Sequence, residues 1–427
     1  MGNKIDKSEP QVPLTEKVCW CLRMQGLNED RQCGLNYFPF KHQKFVVSAV
    51  GGMSHSIGIL KTGEFVSWGS NKFGQLGWQS DSYIDYYLYE KNNINPVSFP
   101  KGLNRIVIIS ISAGAWHSAC VTDNYQVFAW GLGTDGQLGI NPRGYNLSTN
   151  IQTQDKFIPT PALVESLKRE KSVSVHCGGN FTVVRTENLK IFTFGAGKDG
   201  VLGNGVTNST HTPQEVITFD SMKLKKIVCG FNHCLALSTR GRVYSWGNMF
   251  KDILSASQPV LYPQEIEGLE KVVDIACGDY HCCAVLKDSG QLMAWGSNGY
   301  GQLGSSLYDL DYYTERPVPA GINEVSHVVC GGLFTVAKMR DNSVFAWGCN
   351  RQKQIGEDFE MIVREPSMIL RHNQILKKVD AGYSHLFFMT SEILNSDLVV
   401  TPKKEIFRGA FKSDDHSTWR DATSDRA

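Results

Sequence analysis

The most conspicuous chemistry-bearing residues of the chain are histidines that recur in a Gly-x-x-His motif. They are His55, His117, His233, His281 and His385. One imidazole per repeat could build a ring of metal ligands. Two further copies of the motif carry phenylalanine at this point, Phe181 and Phe334. Because a phenyl ring cannot bind a metal ion, we interpret the histidines as structural residues that hydrogen-bond to the neighbouring repeat.

The chain also contains twelve cysteines. Cys177, Cys229, Cys277 and Cys330 each precede the motif glycine, where other copies have small residues. We expect them to be reduced and buried, since free cysteine behaves as a small hydrophobic residue. The paired two-residue spacing of a zinc site is absent, so the sequence predicts neither a metal nor a cofactor. Reduced cysteines favour an intracellular protein, cytoplasmic or nuclear.

Two glycine-rich segments, residues 131–136 and 195–200, match the dinucleotide fingerprint Gly-x-Gly-x-x-Gly. That fingerprint binds a pyrophosphate only where a helix follows it. Turn-rich sequence follows both segments here, so we interpret them as repeat loops. With no hydrolase or transferase constellation in the chain, the sequence predicts a protein that is not an enzyme of those classes.

Predicted β-strands precede and follow each Gly-x-x-His motif, and these strands would position its residues. The motif glycines lie 48 to 64 residues apart at Gly52, Gly114, Gly178, Gly230, Gly278, Gly331 and Gly382. Alternating apolar residues precede and follow each motif, which is typical of strands. A hairpin turn comes next and ends in Gly or Asn, as in Asp123-Asn124, Glu187-Asn188 and Arg240-Gly241, since these residues tolerate a positive φ. The third strand then ends in Trp-Gly at Trp68, Trp130, Trp246, Trp295 and Trp347, with Phe194 in one copy. Most copies then carry a Gly-Gln-Leu-Gly loop, whose leucine should enter the core.

The seventh copy stops after His385. Its missing half resembles the N-terminal segment, where residues 18–24 alternate like a strand and residues 26–34 overlay residues 69–77. The sequence therefore predicts an all-β, seven-bladed propeller over residues 17–392, closed by the N-terminal strand segment 17–34 in its last blade. Residues 1–16 are expected to form a flexible N-terminus, and residues 393–427 a polar, disordered tail.

This succession of Gly-x-x-His, Trp-Gly and Gly-Gln-Leu-Gly resembles the regulator of chromosome condensation repeat family. The resemblance implies a seven-bladed propeller, and family members include an exchange factor for the GTPase Ran, photoreceptors and recruiting domains. The exchange factor has Asp, Asp and His where this chain has Ala115, Asn180 and Tyr280. Exchange on Ran is therefore not expected.

Composition narrows the partner further. The net charge is +1, with 43 basic and 42 acidic residues, so no strong nucleic-acid binding is expected. No apolar run is long enough to span a membrane. We predict a monomeric interaction scaffold with a protein partner, a regulator of a small GTPase. Two alternatives stay open, a guanine nucleotide exchange factor for a Ran-like or other small GTPase, and a chromatin-associated factor. The predicted partner-binding face consists of Trp116, Asn180, Asn232, Asp279, Tyr280 and Tyr383.

Overall fold

A computed structural model describes residues 18–26, 46–60, 63–78, 95–100, 106–141, 148–149, 156–220, 222–249, 258–304, 312–371 and 376–393. Residues 1–16, predicted to be a flexible N-terminus, and residues 394–427 of the predicted tail 393–427 lie outside these ranges. So does the second half of the predicted closing segment, residues 27–34.

Antiparallel strands make up nearly all of the regular structure. Strand β1 is Val18–Gly26. Blade 1 consists of β2 (Val46–Gly51), β3 (His55–Leu60), β4 (Phe65–Gly69) and β5 (Asn95–Pro96). Blade 2 consists of β6 (Ile108–Ala113), β7 (His117–Thr122), β8 (Val127–Leu132), β9 (Ser148–Thr149) and β10 (Lys156–Leu163). Blade 3 consists of β11 (Ser172–Cys177), β12 (Phe181–Thr186), β13 (Ile191–Gly195) and β14 (Thr210–Glu215).

The later repeats continue the same order. Blade 4 consists of β15 (Leu224–Cys229), β16 (His233–Ser238), β17 (Val243–Gly247) and β18 (Val260–Glu265). Blade 5 consists of β19 (Val272–Cys277), β20 (His281–Leu286), β21 (Leu292–Ser297) and β22 (Tyr313–Pro319). Blade 6 consists of β23 (Val325–Cys330), β24 (Phe334–Met339), β25 (Val344–Cys349) and β26 (Ile362–Leu370). Strands β27 (Leu376–Ala381) and β28 (His385–Ile393) follow. In the part of the chain that the structure describes, two short 3₁₀ helices, Glu165–Leu167 and Ile217–Phe219, interrupt the strands.

The sheet order confirms the predicted class, an all-β propeller. Blades 1 to 6 are sheets of four or five strands, and the seventh sheet has the order β1-β28-β27. We call it the closing sheet, because it joins the N-terminal strand to the last repeat. Only six described sheets have a full set of four strands, so the prediction of seven complete blades stays a prediction.

Hydrogen-bonded relays between neighbouring blades explain the recurring histidine and tryptophan. His55 Nε2 lies 2.8 Å from Ser118 Oγ, which donates to the Gln75 carbonyl oxygen at 2.9 Å. The Trp130 indole donates to the same carbonyl at 2.9 Å. Since the serine proton is committed to Gln75, His55 must donate from Nε2. Burial lowers the pKa of His55 to about 3, with further lowering from His117 and His385, so the ring is neutral.

The relay recurs at other joints. His117 Nε2 lies 2.9 Å from Thr182 Oγ1, and His281 Nε2 lies 2.9 Å from Thr335 Oγ1. At the closing sheet, His385 Nε2 lies 3.1 Å from Ser56 Oγ. Each bond links one blade to the next, which makes the histidines structural in the described residues.

The Gly-Gln-Leu-Gly loops buttress the same joints. Their apolar side chain is buried in the core, as with Leu303 and Leu138. The last glycine of the loop approaches the tryptophan of the next blade: a Cβ on Gly304, at φ +66°, would lie 2.5 Å from Trp347 Nε1. Glycine is required there both for the left-handed backbone and for the close approach.

Two hairpin turns differ from the sequence prediction. The Asp123-Asn124 and Glu187-Asn188 pairs were expected to supply the left-handed residue, but Tyr125 (φ 65°) and Leu189 (φ 67°) adopt it instead. In both turns the amide of that residue donates to the carbonyl three residues earlier, as Gly241 does to Ser238. The prediction was wrong by one residue, because the geometry of the turn and not the preference of asparagine decides which position adopts a positive φ.

Candidate protein-binding face

The seven Gly-x-x-His or Gly-x-x-Phe turns are joined into a closed ring by backbone hydrogen bonds. The amide of the first turn residue of one blade donates to a carbonyl in the turn of the next. The bonds are Met53 to Gly114 (3.3 Å), Ala115 to Gly179 (3.1 Å), Gly179 to Phe231 (3.1 Å), Phe231 to Asp279 (3.4 Å), Asp279 to Gly332 (2.9 Å), Gly332 to Tyr383 (2.8 Å) and Tyr383 to Gly52 (3.1 Å). Because the last bond returns to blade 1, the turns form one continuous rim that each blade helps to hold in place.

A cavity of about 420 Å³ lies inside this rim. The first turn residues line it, and we call them the mouth ring: Met53, Ala115, Gly179, Phe231, Asp279, Gly332 and Tyr383. The ring combines small residues, two aromatic residues and a single carboxylate. Such a surface offers space, apolar contact area and one charge to a binding partner.

Asp279 is the only carboxylate among the fourteen residues between each motif glycine and its His or Phe. Among the described residues its carboxylate has no hydrogen bond or ion pair. Its Oδ2 lies 3.0 Å from the position that a Cβ on Gly332 would occupy, and its charge contributes to the raised pKa of Tyr383. Removal from water raises the pKa of Asp279 to about 7. A cation supplied by a partner would stabilise the ionised form of this carboxyl group.

Deeper in the cavity the charges are already paired. Asp274 lies 2.7 Å from Lys226 Nζ and 2.5 Å from His327 Nδ1, and it accepts the Val328 amide at 3.0 Å. Burial opposes ionisation of Asp274, but the His327 hydrogen bond and the Lys226 charge outweigh it and hold its pKa well below the usual range. The Asp274 carboxylate is therefore paired within the chain, whereas the Asp279 carboxylate has no described hydrogen bond or ion pair.

These deeper residues were missed in the sequence, although a signal existed. They occupy the position four residues before the motif glycine, where every copy is polar: Ser48, Ser110, Ser174, Lys226, Asp274, His327 and Lys378. A register shift precedes this position in each inner strand, as between Val272 and Asp274. A bulge of this kind re-aims the side chain that follows it.

The other predicted face residues occupy the second turn position. Trp116 is half-buried and packs edge-on against Phe73, with ring centroids 5.5 Å apart. Asn180 Oδ1 is buried and has no hydrogen-bond partner among the described residues. Asn232 and Tyr280 are half-buried, and each accepts a backbone amide with its carbonyl oxygen.

The six predicted residues thus divide between two levels of the rim. Asp279 and Tyr383 belong to the mouth ring, and the other four lie beside it. Removal from water, together with Asp279, raises the pKa of Tyr383 to about 12, so its phenol stays neutral.

The cysteine prediction holds only in part. Cys177, Cys229, Cys277 and Cys330 are all free thiols, but only Cys177 is buried and the other three are half-buried. The correction has a simple cause, since these cysteines line the central cavity rather than a closed core.

The two glycine fingerprints lie in the loops after β8 and β13, and no described helix follows either one directly. The structure therefore offers no helix N-terminus to a pyrophosphate at these loops. In the part of the chain that the structure describes, no helix is both long and apolar enough to cross a membrane.

Fold and site together define a β-propeller whose turn residues surround a central cavity. A profile of the RCC1-like domain matches residues 143–394, well over half of the chain. Profiles of the regulator of chromosome condensation (RCC1) repeat match residues 108–137 and 63–121. The chain belongs to the RCC1 family.

Its relatives differ widely in length and role. The ultraviolet-B receptor UVR8 of Arabidopsis thaliana is 30% identical over 291 residues, which cover 67% of this chain and 63% of the receptor. The human E3 ubiquitin-protein ligase HERC2 is 28% identical over 300 residues, 68% of this chain but 6% of the ligase. The chain therefore spans less than two thirds of either relative. The crystal structure of Prp20p from Saccharomyces cerevisiae superposes with a TM-score of 0.70 at 19% identity, covering 90% of this chain and 93% of Prp20p. At that identity the likeness concerns the fold.

Proposed function

We propose that this chain is a protein-interaction propeller that docks its partner on the mouth ring and the adjacent turn residues. The observation that carries the proposal is Asp279, a half-buried carboxylate with no described counter-charge on a rigid rim of small and aromatic residues. A partner that inserts a lysine or arginine side chain into the mouth would supply the missing charge, and Phe231 and Tyr383 would contact its apolar stem.

We propose a small GTPase as the partner class, and a regulatory scaffold as the role. Prp20p, which shares the fold, has been characterised for binding to the GTPase Gsp1p and to histones. The near-zero net charge of this chain argues against a chromatin-associated role, which would require attraction to the phosphates of DNA. The mouth ring has one carboxylate on one side and small residues on the other, and it could therefore receive a partner side chain in a single orientation.

Charge reversal tests the docking face. Asp279→Lys should abolish capture of the partner, because it places a cation where a cation is expected. Asp288→Lys is the matched control: Asp288 lies on the hairpin at the far end of β20, about 20 Å from the mouth, and its side chain is 73% exposed. Capture by affinity purification with quantitative mass spectrometry should fall at least tenfold for Asp279→Lys only. Equal capture by wild type and both variants would contradict the proposal.

Nucleotide exchange on a small GTPase is the second candidate, favoured by the same unpaired carboxylate. An exchange factor gains most from contacts made when the nucleotide has left. We expect no acceleration of GDP release from Ran, because Ala115, Asn180 and Tyr280 replace the residues that the resemblance associates with that activity. Release from Ran or another small GTPase that is accelerated by the wild type and lost in Asp279→Ala would make exchange the function.

A further inference from the structure

The joint between blades 4 and 5 carries sulfur where the other joints that have a histidine carry hydroxyl groups. At equivalent joints a histidine pairs with a serine or threonine at the second position of the second strand of the next blade, as His117 does with Thr182. Here His233 Nε2 faces Cys282 Sγ at 3.1 Å. The loop that follows β17 has also lost the Gly-Gln-Leu-Gly pattern.

Two more sulfur atoms complete this cluster. Cys277 Sγ lies 3.8 Å and Met249 Sδ lies 3.5 Å from Cys282 Sγ. The ligand atoms of His233, Cys277 and Cys282 all lie within 4.8 Å of one another. Two thiols, an imidazole and a thioether therefore converge from three separate strands and one loop. We call this set the sulfur cluster.

The distances suit a shared metal ion. Two sulfur atoms bound at about 2.3 Å in tetrahedral geometry lie about 3.8 Å apart, which is the separation of Cys277 and Cys282. An imidazole nitrogen and a sulfur on the same ion would lie about 3.6 Å apart. His233 would have to withdraw from Cys282 by about half an ångström from its present hydrogen bond.

The surroundings provide both shielding and access. Cys282 is fully buried and His233 nearly so. Cys277 lines the central cavity and is half-buried, so an ion can reach the cluster from the cavity. No carboxylate belongs to the cluster among the described residues.

We propose that the sulfur cluster binds one Cu(I) ion through Cys277, Cys282 and His233, with Met249 as an additional weak ligand. Thiolate, thioether and imidazole ligands select soft metals, chiefly Cu(I) and Zn(II). The thioether favours Cu(I), because structural zinc sites use cysteine, histidine and carboxylate ligands. Cu(I) also agrees with the reduced state of the thiols.

The neighbouring joint provides a built-in comparison. Between blades 3 and 4, Cys229 and Cys234 form a similar thiol pair with sulfur atoms 3.6 Å apart. Phe181 occupies the histidine position of that joint. Since the imidazole is missing there, this pair should not retain the ion.

The test is retention of Cu(I) by the full chain against a chromophoric chelator such as bicinchoninate, under anaerobic reducing conditions. The background is Cys19→Ser/Cys21→Ser/Cys33→Ser/Cys330→Ala. The first three cysteines lie outside the described side chains, and Cys330 belongs to a second His-Cys-Cys group with His281 and Cys283. Wild type in this background should retain one equivalent. Cys282→Thr and His233→Phe should retain none, and X-ray absorption should show sulfur and nitrogen neighbours of copper in the wild type.

The chain itself indicates that these variants fold. Thr182 and Thr335 occupy the Cys282 position in blades 3 and 6, and Phe181 and Phe334 occupy the His233 position. Far-ultraviolet circular dichroism should therefore be unchanged. Cys229→Ala is the matched control and should retain one equivalent. Failure of the wild type to retain Cu(I), undiminished retention by Cys282→Thr, or retention of Zn(II) but not Cu(I) would each overturn the proposal.

Discussion

Replacing Asp279 with asparagine should stabilise the propeller, and the gain should grow with pH. The folded structure raises the pKa of Asp279 to about 7, against about 3.9 for an unfolded chain. A raised folded pKa means that the protonated carboxyl favours the fold. Its contribution is complete below about pH 4, and it is lost as the pH rises towards 7. The amide of the substituted side chain would carry no charge at any of these pH values.

The magnitude follows from the linkage relation. A pKa difference of about three corresponds to ~4 kcal/mol at full desolvation. Asp279 is half-buried at a cavity mouth, so residual hydration should reduce this to about 2 kcal/mol. Asp279→Asn should therefore add little to the free energy of unfolding at pH 4 and about 2 kcal/mol at pH 8. Above pH 8 the gain should stay constant.

Denaturant unfolding at several pH values measures this gain. Asp274→Asn is the control with the opposite sign, since the pKa of Asp274 is held low by His327 and Lys226. Its ionised form stabilises the fold above about pH 4, and that contribution is lost as the pH falls. Asp274→Asn should cost stability at pH 7 and progressively less in acid. A pH-independent effect of Asp279→Asn would mean that the carboxylate is solvated or paired, so that the proposed docking face would lack an unpaired charge.

Three further changes test the fold. Trp130→Phe should lower the free energy of unfolding by about 1–2 kcal/mol, because the hydrogen bond to the Gln75 carbonyl is lost. Trp130→Ala should lower it by about 3–5 kcal/mol, because the packing of the ring is lost as well. Equal losses for the two variants in thermal melts would contradict the packing role. Gly304→Ala should be more destabilising than Gly63→Ala, since both have positive φ but only the Cβ at Gly304 meets another residue within 4 Å, Trp347; equal melting temperatures for the two variants would refute the contact. Deleting residues 1–34 should remove β1, expose an edge of β28 and cause aggregation in size-exclusion chromatography; a monomer with an unchanged melting temperature would exclude strand closure.

The repeat architecture could be predicted from the chain because it depends on local periodicity. Alternating strands, the left-handed Gly241 and the buried Trp130 follow from patterns that span fewer than twenty residues. The family resemblance then followed from the order of these patterns. The same reasoning placed Asp279 and Tyr383 on the turns, since each lies directly after a motif glycine.

The state of the site depended on contacts between residues about fifty positions apart, and the sequence does not report those. The pairing of Asp274 with His327 and the lack of a described partner for Asp279 are decided by which blades meet around the cavity. The sulfur cluster was missed for the same reason: its ligands come from separate strands, without the short spacing that marks a zinc site. A propeller fixes each blade by its own sequence, but the chemistry at the joints arises only when the ring brings neighbouring blades together.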